Sequence, residues 1–217
     1  MTRSIGLEPH SGEVAGALSS DALAEADLAL GRWDGAQVRL DVADWQDLET
    51  ESLQLLGGEL ANVAVNGDAF TAELRGAAAK LDQAVCPATS AECRAAFGDK
   101  QCRIDLAGRT LRSTVVDADG ATLTLGTAID DRFVLGRLRF MSGANCGLTS
   151  VILSAEGAAV ELRDLPRATI ESGCIVELRE GCDKRFETCA TRFANAENFR
   201  GEPYLPGNDL LTRYPGA

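Results

Sequence analysis

Histidine is almost missing from this sequence: there is one, His10, in 217 residues. That removes the usual base from any Cys–His or Ser–His nucleophilic pair, and the nitrogen ligands from a mixed Cys/His zinc site. Aromatic side chains make up only 5% of the chain, and no apolar run approaches the roughly 20 residues of a membrane-spanning helix. The opening residues lack the apolar core of a signal peptide, so the expectation is synthesis and folding in a cytoplasm, where thiols stay reduced. Phosphate-binding glycine loops are missing as well, since no stretch matches G-x-x-x-x-G-K-[ST] or a complete G-x-G-x-x-G after a strand. Basic charge is short, with 21 Lys and Arg against 33 Asp and Glu, a net of −12. So acidic a chain is repelled by nucleic acid unless a basic patch intervenes, and no direct nucleic-acid binding is expected.

What remains is ordinary globular composition, 45% hydrophobic and 25% charged, in a chain long enough for one domain or two small ones. Two-residue periodicity dominates. Residues 1–18 show no clear period and read as a loosely ordered lead-in. A helix is expected next, capped by Ser20, with Asp21 and Glu25 near its positive end and Gly31 as its stop. Val38, Leu40 and Val42 alternate as a strand ending near Trp45. Asn66-Gly67 sits between two alternating runs as a hairpin turn, because both turn positions favour positive φ. A short helix starts at Gly76. Further hairpins are expected at Asp119-Gly120 and Glu156-Gly157, then a last strand over 174–178. Short strands with a turn about every ten residues point to a small barrel or sandwich. A composition shift near residue 105 marks the expected boundary between a first domain, 1–105, and a second, 106–217.

Seven cysteines stand at 86, 93, 102, 146, 174, 182 and 189. The odd count and a reducing compartment weigh against a full disulfide framework. Structural zinc sites usually space their thiols as C-x₂₋₄-C, whereas Cys86, Cys93 and Cys102 are separated by gaps of six and eight residues. An iron–sulfur cluster tolerates wider and less regular spacing, because its thiolates surround a larger core. Buried, unliganded thiols fit the spacing too. Spacing alone leaves these readings open. One constraint is geometric: in a continuous helix Cys182 and Cys189 would be separated by about 10.5 Å of rise. If both hold one group, the chain between them must bend or start its helix late, and Gly181 allows some of that freedom.

The stretch GCDKRFETCATRF…NFRGEPYLPG, from Gly181 to Gly207, resembles the C-terminal signature of tail-tip hub proteins from long-tailed bacteriophages and gene transfer agents. CRAAFGDKQCRIDLAG, from Cys93, is similar to the cysteine stretch in the middle of the same proteins. SGANCG at 142–147 resembles their SGANAG loop, and GALSSDALAEADLALGRWDGAQVRL a segment of their N-terminal half. The likeness runs from about residue 16 to the end.

That resemblance implies a mainly β protein with short helices: a hub-type β-domain, a small barrel or sandwich, and an irregular C-terminal cysteine segment. It implies a structural, non-enzymatic subunit of a phage or gene-transfer-agent tail tip (baseplate), a virion part made in the host cytoplasm. Implied partners are three copies about the tail axis, the distal tail protein, a cell-wall peptidase and a central fibre or host-specificity protein. The related minor tail protein L of lambda-like phages carries a four-iron, four-sulfur cluster on two cysteines nine apart and two seven apart. Cys93 and Cys102 match the first pair, Cys182 and Cys189 the second. The resemblance thus implies a 4Fe-4S cluster on these four, with zinc as the alternative metal. Lys184, Arg185 and Arg192 would offset its charge. Cys86, Cys146 and Cys174 have no counterpart in the pattern. Family members usually open with some seventy further β residues, so the first domain is expected to be completed by preceding residues or by another chain. GEPYLPG also departs from the family's bulkier run.

No catalytic set assembles. Cys146 in its Gly-rich loop lacks a base, and Asp130-Asp131 reads as a turn. The competing reading from another class is a cytoplasmic iron–sulfur or zinc protein acting in electron transfer or sensing.

Overall fold

The computed structural model describes residues 11–17, 23–47, 51–67, 69–81 and 86–205. By packing, the chain forms two compact units, Met1–Pro87 and Ala88–Ala217. Both are built of β-strands with short helices, as the alternation predicts.

The first unit is a four-stranded antiparallel sheet in the order β1-β4-β3-β2. Its strands are β1 (Ser11–Ala17), β2 (Gln37–Val42), β3 (Leu53–Asn66) and β4 (Ala69–Gly76). The β3–β4 turn falls at Asn66-Gly67, with Gly67 at φ +59. The expectation of a loose lead-in fails over 11–17: these residues pair along β4 from Ser11↔Arg75 to Ala17↔Ala69. A Cβ on Gly16 would overlap the ring of Phe70, so the small residues that hide the period are what let β1 lie close. The helix α1 (Glu25–Ala29) starts later than expected, with Ala24 at its N-cap and Gly31 at φ +70 just beyond it. Ser20 and Asp21 lie outside the described residues. Leu28 and Leu30 are buried, as are Ala72 and Leu74 on β4. A register shift between Leu40 and Asp41 breaks the alternation of β2 and leaves Leu40 and Val42 exposed. The short helix α2 (Ala77–Leu81) follows β4 as expected.

The second unit carries a closed five-stranded barrel, β5-β6-β8-β7-β9. Its strands are β5 (Thr110–Asp119), β6 (Thr122–Ile129), β7 (Arg137–Phe140), β8 (Thr149–Leu162) and β9 (Ile175–Arg179). Period-two alternation sends Leu123, Leu138, Ile152, Val160, Val176 and Leu178 into the barrel, each fully buried. Burial of each such side chain contributes about 1.5–3 kcal/mol.

Asp119-Gly120 makes its hairpin, with Asp119↔Thr122 closing the turn. Glu156-Gly157 does not: it lies inside the single strand β8, with Gly157 at φ +60. The first part of β8 pairs with β7 and the last part with β6. The two runs flanking Gly157 therefore face different neighbours rather than each other. The glycine bends one strand around the barrel instead of reversing the chain.

After β9 the chain leaves the barrel through Glu180 and Gly181, reaching the last helix, α3 (Phe186–Thr191). A Cβ on Gly181 would overlap the carbonyl oxygen of Val134 and lie 2.5 Å from the Gly136 nitrogen. Gly181→Ala should therefore destabilise the protein by more than about 2 kcal/mol, because the obstacle is backbone and cannot rotate away. Gly108→Ala, where nothing lies within 4 Å, should stay within about 0.5 kcal/mol. Urea unfolding of the two variants beside the parent protein checks the contrast.

Candidate functional site

Two stretches of the second unit meet beside the barrel. The first, 88–106, has no helix or strand and is organised by Asp99. Its carboxylate accepts the backbone N–H groups of Ala96 (2.9 Å), Gln101 (2.9 Å) and Cys102 (2.7 Å). Those bonds, the one from Cys102 foremost, hold the Asp99 carboxyl below its usual range. The second stretch starts at Cys182. Lys184 takes φ +64, and α3 begins only at Phe186, with Cys189 on its second turn. Asp183 fixes that late start by accepting from Arg185 N (3.0 Å) and Thr188 Oγ1 (2.8 Å). The bend required between Cys182 and Cys189 is therefore present.

Backbone and side-chain bonds lace the stretches together. Cys93 N donates to Lys184 O, Arg94 N to Arg200 O, and Glu202 N to Ser90 O, all within 2.9 Å. Asn195, itself buried, donates Nδ2 to Cys102 O (2.7 Å) and accepts Cys189 Sγ at its carbonyl (3.4 Å). Arg200 N donates to Cys93 Sγ at 3.4 Å. The result is one cavity lined by Cys93, Cys102, Cys182 and Cys189, with Phe97, Ile104, Phe193 and Phe199 supplying apolar wall. Phe97 and Phe193 pack at 5.1 Å, and Phe186 meets Phe199 edge-on at 5.1 Å. Burial pushes the Cys182 and Cys189 thiols up. For Cys189, the neighbouring Cys182, Cys93 and Cys102 push the same way. Among the described residues, no three Cys, His, Asp or Glu side chains are arranged to hold a single metal ion.

The other expected residues are sorted by this geometry. Lys184 and Arg185 line the cavity, and Lys184 Nζ donates to Ala95 O. Arg192 does not line it: its guanidinium lies 4.8 Å over the Phe193 ring and reaches Glu180 Oε2 at 3.3 Å. Cys86 and Cys146 are exposed, and Cys174 is buried under the barrel loop with Sγ on Ser142 O. None of the three lines the four-thiol cavity. Cys146 donates its thiol to Met141 O. Asp130 caps a 3₁₀ turn by accepting from Arg132 N, as a turn former should. His10 and Pro206 lie outside the described residues.

Sequence reasoning missed Asn195, Asp99, Glu180 and Glu202. Glu180 is only 3% exposed and accepts from Arg109 (2.7 Å), Arg132 (3.4 Å) and Arg192 (3.3 Å), three arginines far apart in sequence. Glu202 forms a two-bonded fork with Arg94 (2.7 and 2.8 Å) and accepts Ser90 N. The one available signal was position: Glu180 and Glu202 flank the cysteine segment.

Arg94, then the Ser90 N–H, hold the Glu202 carboxyl down at about 2 against an ordinary 4.5. A carboxyl depressed in the folded state binds protons more readily when unfolded, so its stabilisation is present above pH 4.5 and lost as pH falls toward 2. Glu202→Gln should flatten the acid limb of stability in that window. Urea unfolding between pH 2 and pH 7 measures it; an unchanged acid limb would show that the fork does not fasten the tail.

Comparison with known proteins agrees with this architecture. A family model described as baseplate hub protein, N-terminal attachment domain, matches residues 1–105, and one described as phage conserved hypothetical protein BR0599 matches residues 131–209. No curated protein matches the chain. A solved chain from the virion of a native gene transfer agent particle is 39% identical, covering 99% of this chain and 77% of its own, with a TM-score of 0.84. The attachment-domain match at one end and the near-complete likeness to a gene-transfer-agent chain lead to one assignment: this chain belongs to the baseplate hub family of phage and gene-transfer-agent particles.

Proposed function

We propose that the chain is a non-enzymatic hub subunit of a tail tip, and that Cys93, Cys102, Cys182 and Cys189 hold a four-iron, four-sulfur cluster. The observation that carries the cluster reading is the convergence of four thiols, from stretches about eighty residues apart, on one apolar cavity. The donor set suits such a group: four thiols, no competing carboxylate on the lining, and Lys184 and Arg185 to offset negative charge. Zinc is the alternative metal for the same four thiols: four thiolates on one zinc lie about 2.3 Å from it and so roughly 3.8 Å from each other, whereas a multi-iron core stands its ligands further apart.

The group's role would be a clamp. Binding free energy at thiolates becomes folding free energy, and closing a loop of some eighty residues gives that clamp long reach. The barrel supplies rigidity and the clamp fastens the C-terminal segment to the 93–102 stretch. In the assembled tip we place three copies around the tail axis, touching the distal tail protein, a cell-wall peptidase and the central fibre protein. No observation favours a free cytoplasmic electron-transfer or sensing protein.

Anaerobically purified protein should be brown, with iron and acid-labile sulfide in near-equal amounts. Cys182→Ser should remove the colour and lower the melting temperature, while Cys86→Ser and Cys146→Ser leave iron content unchanged. Colourless protein carrying zinc would keep the clamp and discard the iron. Metal-free protein whose stability ignores Cys182→Ser would discard the site. Microscopy of particles labelled on this subunit should place it at the tail tip, and six equivalent copies there would refute the trimer.

A further inference from the structure

The outer face of the barrel carries a cationic groove lined by Arg137, Arg139, Gly147, Thr149, Glu177 and Arg179. Register explains it. Arg137 on β7 stands directly opposite Arg179 on β9, and Arg139 directly opposite Glu177. On the far side of β9, Arg112 stands opposite Glu177. Four arginines thus stand around one glutamate on this part of the sheet. Glu177 is taken at 3.4 Å by both Arg112 and Arg179. Arg137 and Arg139 are exposed and have no ion-pair partner among the described residues. Like charges directly opposite across a sheet destabilise it. A chain with a net charge of −12 therefore concentrates unpaired positive charge where it costs folding stability.

The same barrel carries the complement. Asp117 and Asp119, at the tip of the β5–β6 hairpin, are exposed and also have no side-chain partner among the described residues. They are two residues apart on one strand, and so are Arg137 and Arg139. Each pair thus spaces its charges by about 6.8 Å on one face of an extended strand. The two pairs cannot meet within one copy: Arg112, Glu177 and Arg139 stand in one row across the strands, and five residues of β5, roughly 17 Å, separate Asp117 from that row.

We propose that the Arg137/Arg139 groove receives the Asp117/Asp119 hairpin of a second copy of this chain. The contact joins two different patches, so it is head-to-tail, the kind that closes into rings. It deepens the ring reading above, yet it is independent of the cluster: if it fails, copies held by other surfaces, and the four-thiol site, both stand.

Sedimentation velocity of the full chain at low salt, over a concentration series reaching the millimolar range, tests the contact. Wild-type protein should self-associate, and added salt should weaken that association. The pair Arg137→Glu/Arg139→Glu and the pair Asp117→Arg/Asp119→Arg should each weaken it at least tenfold. A chain carrying all four reversals should recover it. All these positions are exposed, and melting temperatures near that of the parent should confirm folding. A wild-type chain that stays monomeric overturns the proposal, as does association unmoved by either pair or unrestored in the fourfold variant. In a parallel arm, a labelled single-stranded oligonucleotide should bind no more tightly to wild type than to Arg137→Glu/Arg139→Glu. Groove-dependent oligonucleotide binding would make nucleic acid the occupant and likewise overturn the proposal.

Discussion

The second unit depends on the passage of backbone against backbone at Gly181. There the chain has just left β9, and it slips past Val134–Gly136 at a distance no side chain would permit. Gly181 N donates to Arg132 O, and Glu180 N to Arg109 O, so the exit direction is fixed from both sides. Immediately beside it, the buried Glu180 carboxylate gathers Arg109, Arg132 and Arg192. A buried charge of this kind is costly unless its partners are all in place, which makes the junction specific rather than merely strong. Everything beyond inherits this aim: Cys182 emerges facing the 93–102 stretch because its predecessor can take only one path.

From that junction the C-terminal segment is held by many small contacts rather than by a strand of the barrel. Asp99 shapes one wall of the cavity, Asn195 bridges both, and Glu202 with Arg94 fastens the end. The Arg94–Glu202 pair is half exposed, so its charge attraction alone is modest, and its geometry matters more than its energy. Phe97, Phe193 and Phe199 wall the cavity, with Phe97 packed on Phe193 and Phe186 on Phe199, and Cys102 and Cys189 are buried there. Burial first, and neighbouring thiols after it, push the Cys182 and Cys189 thiols up. The architecture is a closed barrel with a cysteine segment drawn against its flank.

Period-two alternation was enough to place β5, β6 and β9, because one face of each is buried in the barrel and the other meets solvent, whereas the four-residue β7 was too short to show a period. The hairpins at Asn66-Gly67 and Asp119-Gly120 were legible for the same local reason, positive φ between two runs that pair with each other. Glu156-Gly157 carries an equally good local signal and means something else. Which neighbour each flanking run will pair with is a property of the closed barrel, and no window of sequence contains it. β1 was hidden for the opposite reason: its small residues carry no period, and it becomes a strand only because β4 offers an edge.

The chain's own chemistry decided what the site could be made of. Lacking histidine outside position 10, and with five of its seven thiols in two stretches, it could offer sulfur and carboxylate but almost no imidazole. Composition and spacing left thiols, zinc and cluster all open; the resemblance in the C-terminal segment alone picked out Cys93, Cys102, Cys182 and Cys189. Only the tertiary structure decided that these four line one cavity while Cys86, Cys146 and Cys174 do not. The physical reason is that a cavity belongs to no segment. It forms where the barrel exit at Gly181, the late start of α3 and the Asp99 loop converge, and each of those is set by contacts between residues far apart along the chain.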